Sequence, residues 1–349
     1  EAPSTANAES YAHIIKEKAI LRSLIQASAD ILDRSYKDKT DSQEVLSFAE
    51  QEIFNIARAK QKKDYTSLYD VMMENISQID AMASTEGKLI GLTTGFVDLD
   101  EKTAGLQKSN LIIIAARPAM GKTAFVLNLA QNAALKADAK VLIFSLEMSK
   151  EELGMRMLSS DTCIDLAKLK TGDLNRGEWE DLYIGIDRLT KAGIYIDDTP
   201  GISLMEMKNK CRRLKAEKGL DLVIVDYLQL MEAKAESRQQ EISKLSRSLK
   251  ILAKEMDCPV IVLSQLSRAV EQRIEKKPQL SDLRESGAIE QDADLVMFLY
   301  RDEYYNPDTD KPNTCEVILA KHRGGSTGTV ELAWLGKYTK FADKSPMKL

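Results

Sequence analysis

The chain has 349 residues and a mass of 39.0 kDa, more than one typical domain, and 44% of its residues are hydrophobic, which suffices for a packed core. It contains no run of 18 or more apolar residues, and its first residues lack the basic and apolar stretches of a secretory signal, so we expect a soluble, cytosolic protein. The net charge of −5 gives no overall attraction for nucleic acid, although a local basic surface is compatible with that average.

The cysteines lie far apart in the sequence, at Cys163, Cys211, Cys258 and Cys315. This spacing is typical neither of a zinc site nor of a disulfide framework. We therefore expect reduced cysteines that belong to the core.

Residues 10–83 carry the pattern of an all-helical region. Hydrophobic residues recur at helical spacing from Tyr11 to Leu32 and from Val45 to Ile56, which predicts a helical hairpin. A third pattern runs from Leu68 to Met82 and predicts a separate amphipathic helix, whose apolar side can pack on another subunit or on its own chain. Because the first residue is not methionine and the helical region is short, we expect the chain to begin inside a larger domain.

From about Asn110 the pattern changes to alternating strands and helices. Short apolar runs predict strands at residues 111–116, 141–146, 222–226, 259–265 and 294–300. Continuous apolar strands separated by helical lengths are typical of a parallel sheet that is covered on both faces. Two later runs, residues 315–320 and 329–334, flank a glycine-containing turn and predict a hairpin added to this sheet.

The run ARPAMGKT, residues 116–123, lies between the first of these strands and a helical pattern. In this position a nucleotide phosphate loop wraps its backbone N–H groups around the β-phosphate at a helix N-terminus. We expect Lys122 to reach the β and γ oxygens and the Thr123 hydroxyl to bind Mg²⁺. The usual pattern begins with glycine, whereas this chain has Ala116, which is small enough for the turn. The residues assigned to nucleotide binding are Arg117, Pro118, Ala119, Met120, Gly121, Lys122, Thr123 and Ala124.

Polar residues close several of the predicted strands, where an open α/β sheet places its ligand. Asp226 ends a buried strand, so its carboxylate favours a nearby cation and can hold Mg²⁺ beside Thr123; capping a helix is the alternative. Glu147 follows the second strand and is the best candidate to polarise an attacking water, with an ordinary surface glutamate as the alternative. Gln265 closes the fourth strand, where an amide can sense a γ-phosphate, although polar strand ends are common.

A basic cluster, Lys321, His322 and Arg323, lies at the start of the predicted hairpin turn. Such a cluster is commonly a solvated face. Arginine is nevertheless suited to reach a γ-phosphate across a subunit boundary, where it stabilises the charge of the transition state.

Two further segments are candidates for contact with a polymer. Residues 234–254 are rich in lysine and arginine, although a basic helix is commonly a solvated face. The segment SDLRESGAIEQ places Arg284 and Gly287 in a predicted loop, where backbone N–H groups can approach phosphate. Aromatic residues are absent from both segments, which favours contact with a nucleic-acid backbone over base stacking.

Blocks of sequence occur in one order along the chain: TGFVDLDEKTAGL, ARPAMGKT, FSLEMS, KTGDL, YIDDTPGIS, VIVDYLQLM, LSQLSRAVEQR, DLRESGAIEQDAD and KHRGG. In this order they resemble the DnaB-type replicative DNA helicases of bacteria, over residues 10–340. The resemblance implies an α/β fold, a RecA-like P-loop ATPase domain with a mostly parallel central sheet, at residues 93–349. It further implies a linker helix and linker at residues 63–92, after the remnant of an N-terminal helical domain, a helical hairpin at residues 1–62.

The resemblance also implies the activity of the chain. An ATP- and Mg²⁺-dependent helicase is expected, a homohexameric ring that moves 5′ to 3′ on single-stranded DNA and unwinds the replication fork. Primase and a helicase loader are the partners that the family implies. The phosphate loop of the family commonly begins with ARP, as it does here at Ala116. A RecA-like recombinase that forms filaments on DNA is one alternative, and a nucleotide-binding assembly module without turnover is another.

Within the nucleotide site, the resemblance implies that Lys122 and Thr123 bind phosphate and Mg²⁺. It makes Glu147 the catalytic base and Asp226 the second carboxylate linked to Mg²⁺, and it implies that Gln265 couples the nucleotide state to the DNA loops.

Two further groups of residues follow from the same resemblance. Lys321 and Arg323 would complete the nucleotide site of the adjacent subunit. Arg284, Glu285 and Gly287 would touch single-stranded DNA in the channel of the ring.

Overall fold

The computed structural model of the chain describes residues 8–36, 42–59, 67–83, 89–228, 237–283 and 287–344. The chain divides into two compact units, residues 1–86 and 87–349. The three-part division predicted at residues 62 and 92 stays a prediction. In the described ranges, no helix is long and apolar enough to cross a membrane.

The first unit contains the predicted helices, α1 (Ala8–Ser35), α2 (Ser42–Ala59) and α3 (Leu68–Ala83). Helices α1 and α2 pack together, and the Arg34 guanidinium lies 3.6 Å from the centre of the Phe48 ring. Several large hydrophobic side chains of α3 are exposed, namely Leu68, Tyr69, Val71, Met72, Met73 and Ile76.

The second unit alternates helices and strands, as its sequence pattern predicts. Its helices are α4 (Val97–Thr103), α5 (Lys122–Ala137), α6 (Lys150–Thr162), α7 (Leu166–Thr171), α8 (Arg176–Lys191), α9 (Leu204–Glu217), α10 (Arg238–Met256) and α11 (Gly287–Asp292). Its strands are β1 (Leu111–Ala116), β2 (Val141–Ser145), β3 (Ile194–Asp197), β4 (Leu222–Asp226), β5 (Val260–Gln265), β6 (Leu295–Tyr300), β7 (Thr314–His322), β8 (Gly328–Leu335) and β9 (Lys340–Asp343).

All strands of the described residues form one sheet in the order β3-β2-β4-β5-β1-β6-β7-β8-β9. Pairings from β3 to β6 are parallel, and those from β6 to β9 are antiparallel. The predicted parallel sheet and the added hairpin are therefore confirmed. The sequence pattern missed β3 and β9, because each has only four residues and lies at an outer edge, where β3 is half-buried and lacks a continuous apolar run.

The register of the central strands decides which strand ends meet. Ala116 of β1 lies beside Gln265 of β5, and Ser145 of β2 lies beside Asp226 of β4. Since parallel strands share one carboxyl edge, polar residues at these ends face a common space above the sheet.

Helices cover both faces of the sheet, as expected for continuous apolar strands. Alternate residues of β1 point to opposite sides, so that Ile112 and Ile114 join one hydrophobic cluster while Leu111 and Ile113 join the other. Phe125 of α5 is fully buried in the first cluster. Its ring stacks on Phe96, 5.7 Å between centres, and meets the Phe341 ring edge-on at 5.3 Å, which fixes α5 against the sheet.

The structure corrects two expectations from the sequence. Gly287 is the first residue of α11 rather than part of a loop, because the helical pattern of residues 287–292 begins at that glycine. Cys163 is exposed rather than in the core, because it ends α6 in a left-handed conformation (φ 56°) at the protein surface. The other cysteines are buried and free, as expected.

We expect Phe125→Ala to lower the melting temperature of the second unit by on the order of 10 °C, because truncating a buried phenylalanine costs about 3–5 kcal/mol. Differential scanning calorimetry measures this shift. Leu135→Ala, at a more exposed position of the same helix, is the matched control and should change the melting temperature little. Equal shifts for the two variants would contradict the role given to Phe125.

Candidate functional site

The loop between β1 and α5 follows a path that its small residues permit. Ala119 and Gly121 adopt positive φ angles of 65° and 91°. A Cβ atom at Gly121 would lie 3.1 Å from Cζ of Phe341 and 3.3 Å from Cη2 of Trp334, so a glycine fits both the backbone and the space. Helix α5 begins at Lys122, and the unpaired N–H groups of its first turn give this end a partial positive charge.

A cleft of about 430 Å³ lies over this loop. Its walls come from distant parts of the sequence: Ala116, Arg117, Pro118, Ala119, Gly121, Lys122, Thr123, Ala124, Glu147, Met148, Arg156, Tyr227, Gln265, Trp334 and Thr339. The predicted loop residues thus line the cleft, with one exception. Met120 is buried in the core and only 1% exposed, so its side chain packs beneath the loop.

A hydrogen bond beside the cleft joins two residues that are 103 positions apart. The Thr123 hydroxyl donates a hydrogen bond of 2.8 Å to Oδ2 of Asp226. The second oxygen, Oδ1, is buried and has no hydrogen-bond partner among the described residues. Burial raises the pKa of the Asp226 carboxyl, and the nearby Lys122 and the hydrogen bond from Thr123 oppose that rise. A buried carboxylate oxygen without a donor is costly unless a cation neutralises it.

Lys122 lies in the same cleft and is largely removed from water. Its Nζ is 3.4 Å from the carbonyl oxygen of Ser264 and 4.9 Å from the centre of the Tyr227 ring. Burial lowers the pKa of the Lys122 ammonium, while Asp226 and Glu147 act in the opposite direction. A lysine held in this way favours an anionic ligand, because a negative charge nearby would stabilise the ammonium form that burial disfavours.

Glu147 and Gln265 reach the cleft through the strand ends that carry them. The turn after β2 is fixed by the Leu146 N–H, which donates to the Asp226 carbonyl at 2.7 Å, and by the Ser145 hydroxyl, which donates to the Met148 carbonyl at 2.6 Å. This turn directs Glu147, an exposed residue, into the cleft. Gln265 enters from β5, beside Ala116.

Arg117 has a different environment from the residues that follow it. Its guanidinium donates to the Leu266 carbonyl at 2.9 Å and to Glu271 at 2.9 Å, and the residue is buried. These contacts anchor the start of the loop to the segment after β5.

Several residues of the cleft escaped the sequence analysis: Met148, Arg156, Tyr227, Trp334 and Thr339. Arg156 of α6 had no clear local signal, and its Nε is buried without a hydrogen-bond partner in the described part of the chain. Trp334 had no local signal. It reaches the cleft because β7 and β8 run antiparallel, which returns the end of β8 to the carboxyl edge of the parallel strands.

Strand β7 runs antiparallel to β6, so its end brings Lys321 and Arg323 to the opposite edge of the sheet. The Arg323 N–H donates to the carbonyl of Asp294, and the carboxylate of Asp294 accepts the N–H of Leu111, the first residue of β1. Arg323 therefore lies at the start of β1, whereas the phosphate loop follows its end. Since β1 has six residues and a strand rises about 3.3 Å per residue, the two places are about 20 Å apart.

Near that opposite edge, Lys321 donates to the carbonyls of Glu290 and Gln291, and Arg323 also donates to Gln291. Burial lowers the pKa of Lys321, and the neighbouring Arg323 adds to the effect. Lys321 and Arg323 therefore lie close to each other but far from the cleft of their own chain.

The candidate residues for polymer contact are only partly described. Arg284, Glu285 and Lys234 lie outside the described residues, and Gly287 opens α11. On α10, Lys250 is largely buried rather than solvated, and its Nζ lies 2.5 Å from Oδ2 of Asp294.

Comparisons with known proteins show which family the chain belongs to. Residues 91–343 match the model of the DnaB-like helicase C terminal domain. The chain is 48% identical over 344 residues to the replicative DNA helicase DnaC of Bacillus subtilis (strain 168), and 47% identical over 344 residues to the replicative DNA helicase DnaB of Geobacillus stearothermophilus. Each alignment covers 98% of this chain and 76% of the relative.

Two solved structures are similar as well. One is described as an ATPase domain, with a TM-score of 0.77 and 42% identity, covering 80% of this chain and all of that chain. The other is described as a DnaB-like replicative helicase and its interactions with primase. Its TM-score is 0.82 at 38% identity, and the match covers 98% of this chain and 80% of that one. The RecA-like fold expected from the sequence is confirmed.

We expect Gly121→Ala to weaken nucleotide binding by about tenfold or more, because a side chain at φ 91° costs roughly 1–3 kcal/mol and crowds Phe341 and Trp334. Titration with a fluorescent ATP analogue measures the change in Kd. Gly172→Ala is the matched control, since that residue also has a positive φ (72°) but no atom within 4 Å of the added Cβ. The same Kd for Gly121→Ala and the unmodified protein would refute the assignment.

Proposed function

This chain belongs to the DnaB-like helicase family, and we propose from its site how it uses ATP and DNA. As a member of this family it is an ATP-hydrolysing replicative DNA helicase. The observation that carries the proposal is the convergence of Lys122, Thr123 and Glu147 in one cleft at a helix N-terminus, where Thr123 is hydrogen-bonded to the buried Asp226. We further propose that it acts as a homohexameric ring and moves 5′ to 3′ on single-stranded DNA.

The proposed substrate is ATP, with its phosphates at the first turn of α5. Backbone N–H groups and Lys122 suit the phosphate oxygens. The ring of Trp334 lines the same cleft as part of its wall, where it packs against the Phe341 ring at 4.5 Å and the Arg301 guanidinium at 5.2 Å.

The residues of the cleft also fit Mg²⁺. In the described ranges no group of three or more His, Cys, Asp or Glu side chains could hold a metal by itself. Mg²⁺ commonly binds one or two protein oxygens together with substrate phosphates. Oδ1 of Asp226, buried and without a donor in the described part of the chain, and the hydroxyl of Thr123 would supply those oxygens. The ion would neutralise charge that develops on the phosphates.

Hydrolysis transfers the γ-phosphoryl group to water, so the protein contributes position and charge rather than covalent chemistry. Glu147 is the proposed base, since the turn after β2 holds it beside Asp226 and Lys122. Its carboxylate would accept a proton from the attacking water while Lys122 stabilises the phosphate oxygens. Gln265, on the neighbouring strand end, would sense whether the γ-phosphate is present.

The nucleotide site would be completed by an adjacent subunit. Arg323 and Lys321 lie about a full strand length, roughly 20 Å, from the phosphate loop of their own chain, too far for their side chains to reach it. A ring of identical subunits joined head to tail lets one edge of each sheet face the cleft of the next subunit. Arg323 would then stabilise the transition state of its neighbour. The exposed hydrophobic residues of α3 would pack on an adjacent subunit.

We propose that Arg284, Glu285 and Gly287 contact single-stranded DNA in the channel of the ring. Gly287 supports this by its place at the start of α11, where unpaired N–H groups can meet phosphate. The overall charge of −5 is no obstacle, because DNA would meet only the segments that line the channel. Primase and a helicase loader are the proposed partners, and the cytoplasmic replication fork is the proposed place of action.

The two alternatives are less well supported. Family membership over residues 91–343 favours a helicase over a filament-forming recombinase. The presence of Glu147 in the cleft favours turnover over a purely structural use of nucleotide.

Lys122→Ala should lower ATP turnover and DNA unwinding by about 10²-fold or more, because the charge that stabilises the transferred phosphoryl group is lost. A steady-state ATPase assay with single-stranded DNA and a strand-displacement assay measure both effects. Lys136→Ala, at the other end of α5, should leave them unchanged. Turnover by the Lys122 variant at the unmodified rate would rule out the assigned phosphate loop.

Mixing Arg323→Ala with Lys122→Ala subunits should restore turnover, although each variant alone is nearly inactive. A site is complete where an Arg323→Ala subunit supplies the cleft and a Lys122→Ala subunit supplies the arginine. In an equimolar mixture that assembles at random, about a quarter of the sites have this composition. ATPase rates over a series of mixing ratios test this. Lack of recovery at every ratio would show that Arg323 does not act across the boundary.

A further inference from the structure

Asp294 occupies a junction between three structural elements at the amino edge of the sheet. It precedes β6, and its carboxylate accepts the N–H of Leu111 at 2.7 Å, which ties it to β1. The same oxygen, Oδ2, lies 2.5 Å from Nζ of Lys250 on α10, and this ammonium also donates to the Ser109 carbonyl at 2.9 Å. The carboxylate is therefore held by groups from two elements, β1 and α10.

The other oxygen of this carboxylate faces Arg323. Nε of Arg323 lies 4.0 Å from Oδ1 of Asp294, and the Arg323 N–H donates to the Asp294 carbonyl at 2.9 Å. The side chain of Asp294 is 10% exposed, whereas that of Arg323 is 58% exposed. A buried carboxylate thus lies beside Nε of a guanidinium that is itself partly exposed.

The C-terminal end of α11 supports the same cation from a second direction. Nη2 of Arg323 donates to the carbonyl of Gln291, and Lys321 donates to the carbonyls of Glu290 and Gln291. Carbonyls of the last turn of a helix lack intrahelical partners and carry partial negative charge, so they suit these two basic residues. Nη1 of Arg323 takes part in none of these contacts, and a guanidinium has further donors to offer a phosphate.

We propose that Asp294 is a positioning residue for ATP hydrolysis in the neighbouring subunit, because it orients Arg323 toward that site. The proposal rests on the proposed action of Arg323 across the subunit boundary. Long, exposed arginine side chains have many rotamers, and fixing one of them in advance removes an entropic cost at the moment of reaction. Lys250 and the start of β1 fix Asp294, and through it they fix the arginine.

The test uses Asp294→Asn in the full chain, which keeps the size of the side chain and removes its charge. We expect kcat for ATP to fall about tenfold, because a misplaced arginine stabilises the transition state less. The Kd for nucleotide should stay unchanged, because the variant alters no residue of its own cleft. Asp257→Asn is the matched control: that carboxylate lies at the same edge, where it accepts the Ser109 hydroxyl at 3.0 Å and lies near Lys108.

Two readouts separate positioning from a merely structural role. Mixing Asp294→Asn with Lys122→Ala subunits should restore turnover as mixing with Arg323→Ala does, because each variant then supplies the part that the other lacks. The double variant Asp294→Asn with Arg323→Ala should be no slower than Arg323→Ala alone. An unchanged or raised kcat for Asp294→Asn, no recovery on mixing, or additive losses in the double variant would each overturn the proposal.

Removal of this charge leaves the ammonium of Lys250 unpaired, which can prevent folding. Asp294→Asn combined with Lys250→Met removes both charges. If a thermal melt shows that the single variant is not folded, the same tests are made with this double variant. If Arg323→Ala itself fails to complement Lys122→Ala, the proposal that Arg323 acts across the subunit boundary is wrong. If that pair complements and Asp294→Asn does not, only the positioning role is wrong.

Discussion

The hydrogen bond from Thr123 to Asp226 connects the start of α5 with the end of β4, and the site depends on it. It places the positive end of a helix, which suits an anionic ligand, beside a buried carboxylate, which suits a cation. Burial disfavours the charged form of both ionisable groups here, as the raised pKa of Asp226 and the lowered pKa of Lys122 show. A phosphate with its metal would stabilise both charges, so this arrangement favours binding of the two together.

The sheet separates two sets of charged residues by the length of its strands. Parallel strands bring Lys122, Glu147 and Gln265 to one edge, while the antiparallel hairpin takes Lys321 and Arg323 to the other. A single chain therefore cannot assemble the whole set at one place. If Arg323 acts across the subunit boundary as proposed, assembly would be required for full activity. The proposed ring would then have a means of communication, because each site would contain residues from two subunits.

Asp294 gives the second edge a rigid anchor comparable to Asp226 at the first. Both carboxylates are buried, both close or precede a central strand, and both face a lysine. The two carboxylates differ in how many hydrogen-bond donors surround them. One oxygen of Asp226 is buried without a hydrogen-bond partner in the described part of the chain, whereas Asp294 is surrounded by donors from β1, α10 and the segment after β7. The first suits a ligand that comes and goes, and the second suits a fixed side chain.

The sequence by itself determined the residues whose chemistry depends on local order. Continuous apolar runs predicted the central strands, and the loop of residues 116–123 between a strand and a helix indicated the proposed phosphate site, because a loop of that length has few ways to turn. Polar residues at strand ends identified Asp226, Glu147 and Gln265, since parallel strands share an edge. The short edge strands β3 and β9 carried too little pattern to be found.

Only the tertiary structure decided which distant residues meet. Trp334 and Thr339 enter the cleft through strand pairing, and Arg156 enters through the packing of α6, so no local signal fixes their positions. The same holds for Lys250, which reads as a solvated base on a polar helix but turns inward to Asp294. Periodicity shows which side of a helix is apolar, whereas the partner of a buried charge depends on three-dimensional contacts that are formed only when the sheet and its helices assemble.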